Sequence, residues 1–132
     1  MEDFGELTGL AIIFFYGLTI LNFVFKFGLK RFRPQLMKNP KFFAFYLKLV
    51  KFFVKYHRWF GITAISFVLV HFMIQFFNEG LSLTGVLAAG TMFLQVGLGA
   101  FGTYRKPKSK TWLWIHRSIA VLLAVVILIH IL

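Results

Sequence analysis

Four apolar runs, each long enough to cross a bilayer, take up most of the 132 residues, and this limits the chain to very few folds. A crossing helix needs about 20 apolar residues, because each rises about 1.5 Å through a hydrocarbon core of about 30 Å. The runs cover roughly 7–29, 45–77, 81–104 and 111–132, with a basic linker over 30–44. Residues that are 59% hydrophobic, with a mean hydropathy of +0.79, meet lipid rather than water. In lipid every backbone polar group must be satisfied internally, which favours helices. The expectation is one all-α domain over 1–132, an integral membrane four-helix bundle with no room for a soluble domain.

The punctuation between runs is clear. The start, MEDFGELTG, is acidic where a cleavable leader is basic, so the first run reads as a retained helix. Pro34 and Pro40 bracket a turn, Asn78-Glu79-Gly80 makes another, and RKPKSK opens the fourth helix. Every lysine and arginine falls within 26–58 or 105–117, whereas the acidic residues Glu2, Asp3, Glu6 and Glu79 fall at the opposite helix ends. The positive-inside tendency puts both basic segments in the cytoplasm and both termini outside, as in a bacterial plasma membrane. The second and fourth helices then both run outward. A net charge of +11 placed this way serves orientation and anionic headgroups rather than nucleic acid.

All four histidines lie in these two parallel runs, His57 and His71 in one, His116 and His130 in the other, each pair 14 residues apart. Fourteen residues fall about 40° short of four turns, so each pair occupies one helix face about 21 Å apart along the axis. His57 is thereby level with His116 near the inner surface, and His71 with His130 near the outer one. Ionisable groups are costly in hydrocarbon, so two equal spacings in register point to function rather than to incidental hydrogen bonding. Zinc wants three or four protein ligands, and each level offers two imidazoles without thiolate or carboxylate. A proton relay lacks acidic residues within the helices. Cysteine is absent, which excludes thiolate-held clusters and covalently attached haem. Two axial imidazoles per level, with a porphyrin supplying the four in-plane ligands, fit best. The expectation is two non-covalent, bis-histidine haem b groups, with His57/His116 as the inner pair and His71/His130 as the outer pair.

Neighbouring residues suit that reading. Gly61 and Ala120 follow the inner histidines by one turn, and Ala64 continues the same face, so a macrocycle would find room; plain small-residue helix packing gives the same pattern. Gly85, Gly90, Gly97, Gly99 and Gly102 allow close approach of either helices or macrocycles. Arg58 and Arg117 follow the inner histidines and suit haem propionates or phospholipid. Trp59, Trp112 and Trp114 form an interfacial belt, one of them a candidate to stack on the inner haem. At the outer level only Gln75, Asn78 and Ser82 offer polar side chains.

The segments YHRWFGITAISFVLVHFMIQFF and WLWIHRSIAVLLAVVILIHIL resemble the paired His-bearing helices of the ferric-reductase-like transmembrane haem domain, over roughly residues 50–132. That family includes NADPH oxidases, ferric reductases and the membrane partner of the periplasmic methionine sulfoxide reductase. The resemblance implies two stacked b haems, with His57, His71, His116 and His130 as the matching ligands. Larger members have more helices, and many carry a flavin and nicotinamide domain; this chain resembles a stripped core without a dinucleotide fingerprint. The expected function is transmembrane oxidoreduction by electron transfer, from a separate cytoplasmic-side donor, a flavoprotein or quinol, to an outer-side acceptor. A haem-bearing, quinol-oxidising anchor subunit and a haem-free membrane scaffold are the competing readings. A homodimer is compatible with so small a bundle.

Overall fold

The computed structural model describes residues 2–104 and 109–132, and of these every element is helical: α1 Glu2–Met37, α2 Pro40–Glu79, α3 Leu83–Tyr104 and α4 Lys110–Ile131. All four are long and apolar enough to cross a membrane. The protein is an all-α integral membrane protein. Its large apolar side chains confirm the solvent: Phe14, Leu94 and Val121 are all more than half exposed, a surface suited to acyl chains rather than water. Arg105, Lys106, Pro107 and Lys108, which supply most of the second basic segment, lie outside the described residues, as do Met1 and the Glu2 side chain.

Helices α3 and α4 follow the expected boundaries to within two residues. The stretch expected as a linker over 30–44 is instead helical apart from Lys38 and Asn39. Charge ends a membrane-buried segment but not a helix, since Lys, Arg, Gln, Leu and Met are good helix formers. Proline sets the interruptions. Phe32 leaves helical geometry at φ −115°, ψ 17°, two residues before Pro34, which removes one backbone donor and crowds the preceding turn. Asn39 restarts the chain: its side-chain oxygen accepts from Phe42 N at 3.2 Å, and Pro40 takes the first helical position, where no donor is needed.

The same logic governs the other ends. Gly80 closes α2 at φ +80°, a left-handed conformation natural only to glycine here, with its N–H donating to Phe76 O at 3.0 Å. Ser82 and Ser109 cap α3 and α4 by accepting from Gly85 N and Trp112 N at 3.1 and 3.0 Å.

The chain divides into two compact units. One comprises residues up to Ile12 with Ile65–Leu132; the other is Ile13–Ala64. In the first, α3 and α4 pack against each other, with Met92 (3% exposed) and Leu123 (0%) in its core. In the second, Phe53 is buried and stacks on Phe25 with centroids 5.2 Å apart, while Tyr46 Oη donates to Phe25 O at 2.6 Å.

Candidate functional site

His71 and His130 come together. Their ring centroids lie 6.4 Å apart with planes at 87°. Two imidazoles that share one metal, each bonded at about 2.0 Å, have ring centres about 6 Å apart, a separation close to this one. The chemistry of the donor set fits as well. His71 Nδ1 lies 3.0 Å from Gly5 O and 3.1 Å from Thr8 Oγ1, and His130 Nδ1 lies 2.9 Å from Thr84 Oγ1. With Nδ1 turned to α1 in one case and α3 in the other, Nε2 is the nitrogen left for ligation.

Glycines give these rings their places. A Cβ on Gly9 would stand 3.4 Å from His71 Cε1, one on Gly85 3.3 Å from His130 Cε1, and one on Gly99 3.7 Å from His116 Cε1. Gly85 and Gly99 are 14 residues apart on α3, the spacing of His116 and His130 on α4. Antiparallel helices in that register present one glycine to each histidine, with Met92 and Leu123 midway. Gly102 seats the Trp112 ring, whereas Gly90 and Gly97 face open space. The glycines of α3 thus divide into seats for rings and positions without a neighbour.

Near the start of α4, His116 stacks on Trp112, with centroids 5.1 Å apart and planes at 8°, and Trp112 Nε1 donates to Leu98 O at 2.9 Å. Trp112 was expected in an interfacial belt; its indole is instead a platform for a ligand candidate. His57, Arg58, Trp59, Gly61 and Ala64 belong to the Ile13–Ala64 unit, and His116, Arg117 and Ala120 to the other. A Cβ on Gly61 would meet nothing within 4 Å, as at Gly90 and Gly97. Ala64 is buried at 1% exposure, and Ala120 is half-buried. Arg58 and Arg117 are exposed, and Trp59 is 62% exposed, as interfacial side chains are. Of the polar residues expected to serve the outer level, Ser82 is occupied in capping α3.

Among the described residues, no group of three or more His, Cys, Asp or Glu could hold a bare metal ion. Gly5, Thr8, Gly9 and Thr84 escaped sequence reasoning; the signal that finds the last three is a tetrapeptide, Leu7-Thr8-Gly9-Leu10, echoed as Leu83-Thr84-Gly85-Val86. Comparison with models of known families, with curated proteins and with solved structures finds no match to this chain.

Proposed function

We propose that the protein is a two-haem b-type membrane cytochrome, similar in plan to the ferric-reductase-like haem domain, which carries electrons from a cytoplasmic-side donor to an outer-side acceptor. The observation that supports this most is the pair His71 and His130, whose rings lie 6.4 Å apart with both Nδ1 atoms engaged elsewhere, so that their Nε2 atoms would hold one haem iron. Haem, when bound, supplies a one-electron ferric/ferrous couple at each level.

The protein's own residues do the rest. His71 and His130 would hold the outer group; the sequence spacing assigns His57 and His116 to the inner one, with Trp112 stacked on the His116 ring. Gly61, Ala64 and Ala120 keep the helix faces low, and Arg58 and Arg117 bind propionates near the inner surface. The exposed apolar side chains exclude water from the path. Positive residues face the cytoplasm, both termini face outward, and a potential negative inside then drives an electron outward by about 2.3 kcal/mol per 100 mV.

The donor docks on the basic side. Residues 13–64 contain ten Lys or Arg and no Asp or Glu. Helices α1 and α2, at 36 and 40 residues, also exceed the 22 residues of α3 and α4. The excess, about 20 Å or more of helix each, carries that charge beyond the hydrocarbon. The same surface suits the second reading, an anchor subunit for a catalytic partner.

The test is the absorption spectrum of detergent-purified protein, oxidised and dithionite-reduced, with haem counted as the pyridine haemochrome. Two b haems per chain with sharp reduced bands are expected. A protein still colourless after haem supplementation overturns the reading.

A further inference from the structure

The two helices that carry no histidine hold the outer histidines in the same way. Leu7-Thr8-Gly9-Leu10 on α1 and Leu83-Thr84-Gly85-Val86 on α3 are 76 residues apart. In each, the threonine hydroxyl meets a histidine Nδ1, at 3.1 Å for Thr8 and His71 and 2.9 Å for Thr84 and His130. In each, the glycine beside it faces that histidine's Cε1, at 3.4 and 3.3 Å from the position of a Cβ. Seven residues further along, Tyr16 and Met92 are both buried, at 8% and 3% exposure. The correspondence survives although 63 residues separate Thr8 from His71 and 46 separate Thr84 from His130, so it belongs to the packing of the histidines and not to their spacing in the chain.

Donor and acceptor roles at His71 follow from its partners. The Thr8 hydroxyl sits 3.0 Å from Phe4 O and 2.9 Å from Gly5 O, acceptors for its one proton, which leaves its lone pairs for the histidine. Gly5 O, 3.0 Å from Nδ1, can only accept. Both contacts therefore require the proton on Nδ1 and a bare lone pair on Nε2. The Thr84 hydroxyl occupies the equivalent place beside His130, 2.9 Å from its Nδ1, and takes the accepting role by correspondence with Thr8.

We propose that the two Leu-Thr-Gly segments are histidine-positioning half-sites: Thr8 and Thr84 hold Nδ1 of His71 and His130 as the donor nitrogen, commit Nε2 to the iron and strengthen it as a ligand. This rests on the cytochrome reading for its redox consequence. An acceptor on Nδ1–H raises the basicity of the imidazole, favours the ferric state and lowers the potential of the outer haem. The half-sites differ in strength. His71 keeps the Gly5 carbonyl if Thr8 is changed, whereas His130 depends on Thr84.

Two measurements on the full chain in micelles test this, using T8V, T84V and T84S. In haem-free protein labelled with 15N-histidine, long-range imidazole spectra should show His71 and His130 protonated on Nδ1. T84V should shift His130 to a tautomer mixture, while T84S and T8V keep the wild-type forms. In haem-loaded protein, T84V should weaken retention of the outer haem by roughly 10- to 100-fold. It should also shift that haem's reduction equilibrium towards the ferrous state by about tenfold, about 59 mV. T84S should restore both, and T8V should change both less. If T84V leaves tautomer and potential unchanged, or if T84S behaves like T84V, the positioning role is wrong. Wild-type protein that takes up no haem defeats the cytochrome reading alone, since the tautomer spectra still decide what the threonines do.

Discussion

Gly85 separates stability from ligand placement within one residue. Replacing an interior helical glycine with alanine stabilises the helix by about 1 kcal/mol, because less backbone freedom is lost on folding. At Gly97, where a Cβ meets nothing within 4 Å, that gain should appear whole. At Gly85 the new Cβ would stand 2.6 Å from Ser82 Oγ, the oxygen that caps α3 through Gly85 N. The serine must turn away, and a lost cap costs about 1 kcal/mol, which cancels the gain. The same Cβ, 3.3 Å from His130 Cε1, pushes the ring by a few tenths of an ångström. Metal sites tolerate errors of about 0.5 Å poorly, so ligation should suffer where stability does not. The assay is unfolding of haem-free G85A and G97A in mixed detergent micelles, followed by haem titration. G97A should be stabilised by about 1 kcal/mol with normal haem uptake; G85A should match the parent in stability and hold the outer haem more weakly. Equal haem uptake by the two variants, or equal stabilisation, would refute the reasoning.

Other substitutions test other parts of the packing. Tyr46→Phe keeps the ring against Phe25, 5.6 Å away, but loses the 2.6 Å hydrogen bond to its carbonyl, and unfolding should show a loss of about 1 kcal/mol. Trp112→Phe should cost about 1 kcal/mol through the bond to Leu98 O, and Trp112→Leu about 1 kcal/mol more through the lost stack on His116. Equal effects of the two would argue that the stack contributes nothing. Asn39→Ala removes the cap of α2 and should lower stability by about 0.5–1 kcal/mol in the same assay.

The helices and the shared level of His71 and His130 were legible because hydropathy and the helical period are properties of long segments. Equal 14-residue ladders on two helices that run the same way bring His71 and His130 to one height once the helix ends are matched. Helix ends were harder to read: the lysines and arginines of 30–44 mark where lipid stops, and the backbone runs on through them to Met37 before restarting at Pro40. The threonines were hidden for a different reason. Threonine in a membrane helix usually returns its hydroxyl to its own backbone, as Thr91 does to Leu87 O and Thr63 to Trp59 O, so its type carries no signal. Only recurrence of the Leu-Thr-Gly order distinguishes Thr8 and Thr84. Trp112 was misplaced because a tryptophan near a helix start suits an interface, and its distance of four residues from His116 becomes informative only when Gly102 leaves room for the indole.

The account stands most directly on His71 and His130 sharing one iron. Low-temperature EPR of the oxidised, haem-loaded protein reads this through the low-spin signal that a haem held by these two imidazoles would give. The account predicts that His71→Ala and His130→Ala each abolish that signal and one haem per chain, and that the other haem remains in both. Loss of one haem by His57→Ala together with His71→Ala, and of the other by His116→Ala together with His130→Ala, would mean that ligands pair within a helix, and would contradict it.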